Sequence, residues 1–292
     1  MDDPSFNSLA KTRVAIVGLG LMGGSLGLAL RGRCAERIGV ARSAATLAFA
    51  QAHDMVDRVA DIDAAIEAGD FIILATPPRT ILAQLRHLAQ LAVSYPVSKI
   101  LLDLGSTKAD IVTAMQSLPP GFDPVGGHPM CGKEVSGIAS AEAGLYQGQT
   151  FILSPLARTS PAALALAREL VAAIGAKPLE LSAARQDALV ARISHLPYVV
   201  AVALVRAVQA AADEQVWNVA ASGFRDTSRL AASDLVMMVD ILLTNRTAVL
   251  EALGAYRAEF EHLARLIEAG DEAGLRAALT PAQSKRTGMF KS

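Results

Sequence analysis

The sequence predicts an α/β domain followed by an all-α domain, with the boundary near residues 181 and 182. Short, nearly continuous apolar runs recur at 13–20, 37–41, 71–76, 99–105, 123–129, 150–155 and 177–182, most of them separated by stretches with helical spacing. That alternation is the pattern of a parallel sheet covered on both faces. From Ser182 onward such runs disappear and helical periodicity takes over. At 292 residues, 52% of them hydrophobic, the chain is long enough for about two domains and a sizeable core.

The opening `MDDPSFNSLAKTR` has neither a cationic start nor an apolar core, so it does not read as a secretory signal, and its first dozen residues read as a loose tail. Next comes `RVAIVGLG`, a β-rich run ending in glycine, then `LMGGSLGLALRG` with helix-compatible spacing. Gly18, Gly20 and Gly23 fit G-x-G-x-x-G. Three glycines alone are a weak signal, but strand, tight turn and helix are the context in which they let backbone approach a pyrophosphate at a helix N-terminus. The first domain is therefore predicted to be a Rossmann-type nucleotide-binding domain, 1–181, with Gly18, Gly20, Leu21, Met22 and Gly23 against the dinucleotide. `FIILATPP` stops at two prolines, which opens a loop at the strand's carboxyl end and places Thr76 beside the cofactor.

The second strand bears on which dinucleotide binds. An acidic residue at its end would bond the ribose 2′-OH, and none stands at Val40, Ala41, Arg42 or Ser43. Arg42 and Ser43 offer a cation and a hydroxyl suited to a 2′-phosphate, which favours NADP, with NAD as the alternative. A duller reading has Ser43 capping the next helix and Arg42 in solvent.

In the second domain, 182–292, `SAARQDALVARISHLPYVVAVALVRAVQAA` reads as one long helical stretch, N-capped by Ser182 and kinked at Pro197. `DLVMMVDILLTNRTAVLEALGAYRAEFEHLARLIEAG` is also helical and too apolar for a solvated surface, so this half is expected to bury a face against a second subunit. A net charge of −1 gives no global attraction for nucleic acid or an anionic membrane. The run `YVVAVALV` falls short of the ~20 residues that span a bilayer. Two cysteines, Cys34 and Cys131, point to a reducing compartment, and the cytoplasm is the default location. No His, Cys, Asp and Glu spacing suggests a metal.

Polar candidates cluster in `DLGSTK` (103–108), `GGHPMCGKEVSG` (126–137), `ISHLPY` (193–198) and `SGFRDTSR` (222–229). With `GLGLMGGS`, in this order and with these intervals, they closely resemble the TyrA family of prephenate and arogenate dehydrogenases, from about Val14 to about Asn245. The resemblance implies NAD(P)-dependent oxidative decarboxylation in tyrosine biosynthesis, a Rossmann-type amino half and a helical half that forms a homodimer. It makes His128 the catalytic histidine that takes the proton of the ring hydroxyl, and Ser106 the serine that holds hydroxyl and histidine. Arg229 grips the ring carboxylate, His195 lines the substrate pocket, Asp226 supports it and Glu134 stands near its mouth. Lys108 is left without a role.

The chemistry agrees with these roles. Hydride leaves the carbon that bears the hydroxyl, and a neutral imidazole with a pKa of about 6.5 suits the proton. Loss of CO2 then aromatises the ring. A buried structural histidine is the alternative reading of His195, and Asp226 could merely pair with Arg225 or Arg229. Cys131, three residues after His128, reads as small packing rather than a nucleophile, and His53, His87 and His262 read as surface residues. Lys133 and Tyr198 depart from the family's usual residues. Lys133 would favour the more anionic prephenate if it reaches the pocket, whereas the NADP preference points to arogenate. Prephenate is the expected substrate, with arogenate close behind. Because the chain ends soon after its helices, inhibition by tyrosine is expected to act at the substrate pocket. A different reductase with the same two halves, or a non-catalytic NADP-binding sensor, is the rival reading, and `GGHPM` with `SGFRDTSR` counts against both.

Overall fold

The computed structural model describes residues 8–90, 99–133, 135–211 and 213–289. Glu134 lies outside the described residues, as do the first seven residues of the expected tail. The rest of that tail is anchored: Leu9 is buried, its N–H donates to Glu169 Oε1 at 3.1 Å, and Leu9–Lys11 form a 3-10 turn.

In chain order the first half runs β1 (Arg13–Val17), α1 (Leu21–Ala29), β2 (Glu36–Val40), α2 (Ala44–Ala52), β3 (Arg58–Val59), α3 (Ile62–Ala68), β4 (Phe71–Leu74), α4 (Pro78–Gln90) and β5 (Lys99–Asp103). It continues with α5 (Ala109–Gln116), β6 (Phe122–Pro129), β7 (Thr150–Pro155), α6 (Pro161–Ala173) and β8 (Lys177–Glu180). Among the described residues these strands make one sheet of order β3-β2-β1-β4-β5-β6-β7-β8. Period-two alternation splits each central strand between two cores. Val14, Ile16, Phe71 and Ile73 pack with Leu26 and Leu30 on one face, and Ala15, Val17, Ile72 and Leu74 pack with Ile81, Leu85 and Ile111 on the other.

The expectation of an all-parallel sheet is corrected at one strand. β7 runs antiparallel to β6, pairing His128 with Ile152, while β8 is parallel to β7. The connection 130–149 explains this, because among its described residues the helical structure is only the 3-10 turn Ile138–Ser140. A parallel return is usually made through a helix packed on the sheet, and this connection supplies none among its described residues.

After β8 the described residues are helical: α7 (Ala183–Val190), a π-helical turn (Ala191–His195), α8 (Leu196–Gln209), α9 (Gln215–Val219), α10 (Ser222–Ser228), a 3-10 turn (Arg229–Ala232), α11 (Leu235–Thr244), α12 (Arg246–Glu268) and α13 (Glu272–Met289). Ser182 caps α7 as expected, accepting from the Arg185 N–H. The irregularity expected at Pro197 takes the form of the π turn just before it. Ala183–Gln209 is a helical run of 27 residues with hydropathy 1.8, long and apolar enough by length and composition to cross a bilayer. That is longer than `YVVAVALV` alone suggests, yet three polar residues on the run, Gln186, Asp187 and His195, are buried and bonded within the chain.

The change from strands to helices falls at 181 and 182, whereas the compact units of the chain divide between Asn245 and Arg246. Residues 183–245 thus belong with the sheet. The later unit contains α12 and α13, and α12 presents Leu250, Leu253, Tyr256 and Phe260 along an open apolar groove.

Candidate active site

The described candidate residues of the first half gather at the carboxyl ends of β2, β1, β4, β5 and β6, which are neighbours in the sheet. β1 lies between β2 and β4, so the chain reverses direction across the sheet there, the position at which open α/β sheets bind ligands.

The glycine turn fits a dinucleotide. Gly18 has φ +108°, and its N–H donates to Val40 O at 2.9 Å. A Cβ on Gly23 would fall 1.8 Å from Gly18 O, so only hydrogen at both positions lets α1 start this close to β1. Gly20 caps α1, and nothing lies within 4 Å of where its Cβ would be. Bare backbone facing open space at a helix N-terminus is the shape and polarity a pyrophosphate requires. Thr76 packs its methyl against Gly18 and donates from Oγ1 to Gln84 Oε1 at 2.9 Å. Leu21 and Met22 are half-buried in the first turn of α1, and Met22 O accepts from the Tyr146 hydroxyl at 2.7 Å. Ser43 caps α2, accepting from Thr46 N–H at 3.4 Å, beside an exposed Arg42.

Beneath this edge lies a buried ion pair that hydropathy alone does not reveal. Lys108 Nζ donates to Asp103 Oδ2, and both side chains are fully buried. The carboxylate also accepts from Gly105 N–H at 2.8 Å and Gly127 N–H at 3.1 Å, tying the `DLGSTK` loop to the strand that bears His128. Burial pushes the Asp103 carboxyl up and the Lys108 ammonium down, and their mutual attraction opposes both shifts.

His128 lies within β6, one residue from its end, despite the flanking glycine and proline. Gln186 Nε2 donates to His128 Nδ1 at 3.2 Å and lies 3.4 Å from Ser106 O, so one side chain brings the two expected catalytic residues together. Burial, reinforced by nearby Lys108 and His195, pushes the imidazole down to about 3, well below its ordinary range.

His195 is buried in the π turn. Asn245 Nδ2 donates to its Nδ1 at 3.2 Å and to Asp187 O at 2.9 Å. Burial pushes this ring down to about 4. Asp187 in turn accepts from Lys108 N–H and Ala109 N–H, both at 2.7 Å, closing the start of α5. Gln186, Asp187, Asn245 and Asp103 do not stand out as candidates in the sequence, although Asp103 and Lys108 lie inside the `DLGSTK` motif.

Asp226 pairs with Arg225 at 3.2 Å, and both side chains are exposed in the single chain. Arg229 opens the 3-10 turn that packs on α8 and is exposed in the single chain. Lys133 pairs with Glu142 at 2.8 Å and donates to Ser140 O at 3.2 Å. Tyr198 packs with Met238 and Ile241 in a small core. Burial raises the Cys131 thiol to about 11, which disfavours the thiolate a nucleophile needs. His87 bonds Asp63 at 3.0 Å at the surface, and His53 stacks on Phe49. Among the described residues no group of three His, Cys, Asp or Glu could hold a metal.

The two neutral histidines make the fold acid-sensitive. In the unfolded chain each binds a proton below about 6.5, while in the fold they resist protonation to about 3 and about 4. The unfolded state therefore binds more protons throughout that interval, and stability falls as the pH drops from about 6.5 towards 4. Urea midpoints at fixed protein concentration should decline between about pH 7 and pH 5, above the ordinary carboxylate range, with the raised Asp103 and Asp187 carboxyls opposing part of the fall. A flat midpoint there would contradict it.

Comparison with known proteins follows the same outline. The model of "Prephenate dehydrogenase, nucleotide-binding domain" matches residues 26–180, and that of "Prephenate dehydrogenase, dimerization domain" matches 182–281. A prephenate dehydrogenase of Bacillus subtilis is 31% identical over 287 residues, 96% of this chain and 76% of that protein. The Aquifex aeolicus prephenate dehydrogenase in complex with hydroxyphenyl propionate and NAD+ superposes with a TM-score of 0.87 at 30% identity, over 96% of this chain and 99% of that one. Synechocystis arogenate dehydrogenase superposes with a TM-score of 0.81 at 33% identity, over 94% and 99%.

Proposed function

Since the chain belongs to the prephenate dehydrogenase family, an NAD(P)-dependent oxidoreductase family, we propose that it decarboxylates prephenate oxidatively with His128 as the base. The observation that carries the assignment is the Gln186 contact, which sets the His128 ring beside the Ser106 loop at the carboxyl edge of the sheet. A buried imidazole that stays neutral retains one unprotonated ring nitrogen, and its weak basicity is offset because departure of hydride makes the ring hydroxyl strongly acidic. The dinucleotide, when bound, supplies the hydride acceptor. Ser106 holds the hydroxyl, Arg229 orients the ring carboxylate through a bidentate contact, and His195 lines the pocket with Asp226 and Glu134 at its mouth.

In this reading residues 1–181 hold the dinucleotide, and residues 182–292 complete the substrate site and form a homodimer. Support for the dimer comes from Val219, Leu235, Val236 and Leu243, which are 56–77% exposed in the single chain. Prephenate or arogenate is the small-molecule partner, with neither nucleic acid nor membrane involved, and the cytoplasm is the proposed location. Arogenate is the second reading, favoured by the likeness to the Synechocystis enzyme. Lys133, engaged by Glu142, no longer argues for prephenate.

NADP is the proposed cofactor because Arg42 stands beside Ser43 just past the end of β2, where no acid stands. Initial rates of nicotinamide reduction, with prephenate and arogenate each crossed against NAD and NADP, test substrate and cofactor together. Arg42→Ala should raise KM for NADP ~10-fold or more, the worth of a lost charge-assisted hydrogen bond, and leave KM for NAD unchanged. Equal effects on both cofactors would remove Arg42 from phosphate recognition. No reduction in any combination would remove the enzyme reading.

A further inference from the structure

Gln186 is buried at the centre of the site, and its two amide atoms are unequally served. Nε2 faces two acceptors, Ser106 O at 3.4 Å and His128 Nδ1 at 3.2 Å, while Oε1 is buried without a hydrogen-bond partner among the described residues. A ring nitrogen that accepts an N–H carries no proton, so a neutral His128 in this arrangement holds its proton on Nε2. Among the described residues no hydrogen bond to Nε2 is formed.

This tautomer cannot act as a base through Nε2, because that nitrogen is already a donor. For Nε2 to take a proton, the ring must carry its hydrogen on Nδ1, and Nδ1–H must find an acceptor. The orphaned Oε1 of Gln186 is one. A half-turn of the amide about its last torsion exchanges oxygen and nitrogen within nearly the same volume. As it stands the amide serves both acceptors and strands only Oε1, whereas turned it serves Nδ1–H, gives up Ser106 O and moves Nε2 to the side where no partner stands among the described residues. The donor orientation is therefore the resting one, and the turn must be driven by the Nδ1–H tautomer that the base requires.

We infer that Gln186 is the positioning residue that selects the His128 tautomer, its amide turning from donor to acceptor when Nε2 must serve as the base. In the productive form the ring hydroxyl proton passes to the Nε2 lone pair, Nδ1–H stays on Gln186 Oε1, and the ring later returns one proton to solvent. The inference rests on the reading of His128 as the base. The charged and titratable groups around the ring are Lys108 and Asp103 from the `DLGSTK` loop, and Asp187 and His195 from α7 and the π turn. Gln186 is the neutral group among them.

The test compares Gln186→Met, Gln186→Glu and His128→Asn with the wild type in kcat, KM, cofactor affinity and pH profile. Gln186→Met should lower kcat ~10- to 100-fold, the scale on which orienting partners of an imidazole act, with cofactor affinity unchanged. Gln186→Glu can only accept, so it should retain more activity than the Met variant and move the acidic limb of kcat/KM to higher pH, since its charge stabilises the imidazolium. A wild-type kcat in the Met variant, or an unmoved limb in the Glu variant, overturns the role of Gln186 while leaving His128 as the base. A near-normal rate in His128→Asn overturns the base itself. Should either Gln186 variant fail to fold, 15N-histidine NMR of the wild type decides the matter independently, with the His128 resonances identified by their loss in His128→Asn. The inference requires Nε2–H in the free enzyme, and Nδ1–H there would overturn it.

Discussion

Replacing His128 by Asn lowers turnover by ~100-fold or more and leaves dinucleotide affinity unchanged. The asymmetry follows from position. His128 stands near the end of β6, whereas the glycine turn that fits the dinucleotide lies at the end of β1, with β4 and β5 between them in the sheet. Asn approximates the imidazole's size and keeps a polar group near Gln186, so packing changes little. What disappears is the acceptor for the hydroxyl proton, without which departure of hydride must build a protonated carbonyl. Steady-state rates with a direct cofactor-binding assay check this, and a variant at near-normal rate would refute the assignment.

Lys108→Met costs about 3–5 kcal/mol of folding stability, the range for removing one partner of a buried ion pair. Asp103 would be left as a buried carboxylate with only the Gly105 and Gly127 N–H groups for company. Two backbone donors stabilise a carboxylate, but they do not supply a counter-charge. The double variant Asp103→Leu/Lys108→Met should recover a substantial part of the loss, because apolar replacement of a whole buried pair is often neutral. Urea unfolding at fixed protein concentration separates the outcomes, since dimer stability depends on concentration. A single variant within about 1 kcal/mol of wild type would show that the pair is dispensable. Where the variant folds, His128 also loses the cation that suppresses its protonation, so the acidic limb of kcat/KM should rise.

The parts of the fold that are legible in sequence are those with a repeating signal. β1, β4 and β5 are apolar runs buried on both faces, and the Gly18–Gly23 spacing names its own turn. β3, only Arg58–Val59, is too short for any period to register. The direction of β7 is readable in principle from the lack of a helical pattern between Met130 and Gln149, a cue that the alternation elsewhere obscures. In the site, His128 and Ser106 are legible because motif and strand end coincide. Gln186, Asp187 and Asn245 are not, because polar residues in a helical pattern read as the solvated face, and only the folded chain shows them turned inward. The depressed proton affinity of His128 is likewise a property of what surrounds it, not of `GGHPM`.

The Asp187 carboxylate that closes the start of α5 bears on how freely this protein could be taken apart. A cut at Leu181 leaves the sheet and its glycine turn intact in sequence, yet strips the first turn of α5 of its acceptor at both Lys108 and Ala109 and takes Gln186 from His128. The dinucleotide half is therefore not a portable module. A chimaera that grafts foreign helices onto it would need to import an acid and an amide at the same two positions, whichever parent supplies α5, because α5 meets the acid through backbone N–H groups alone.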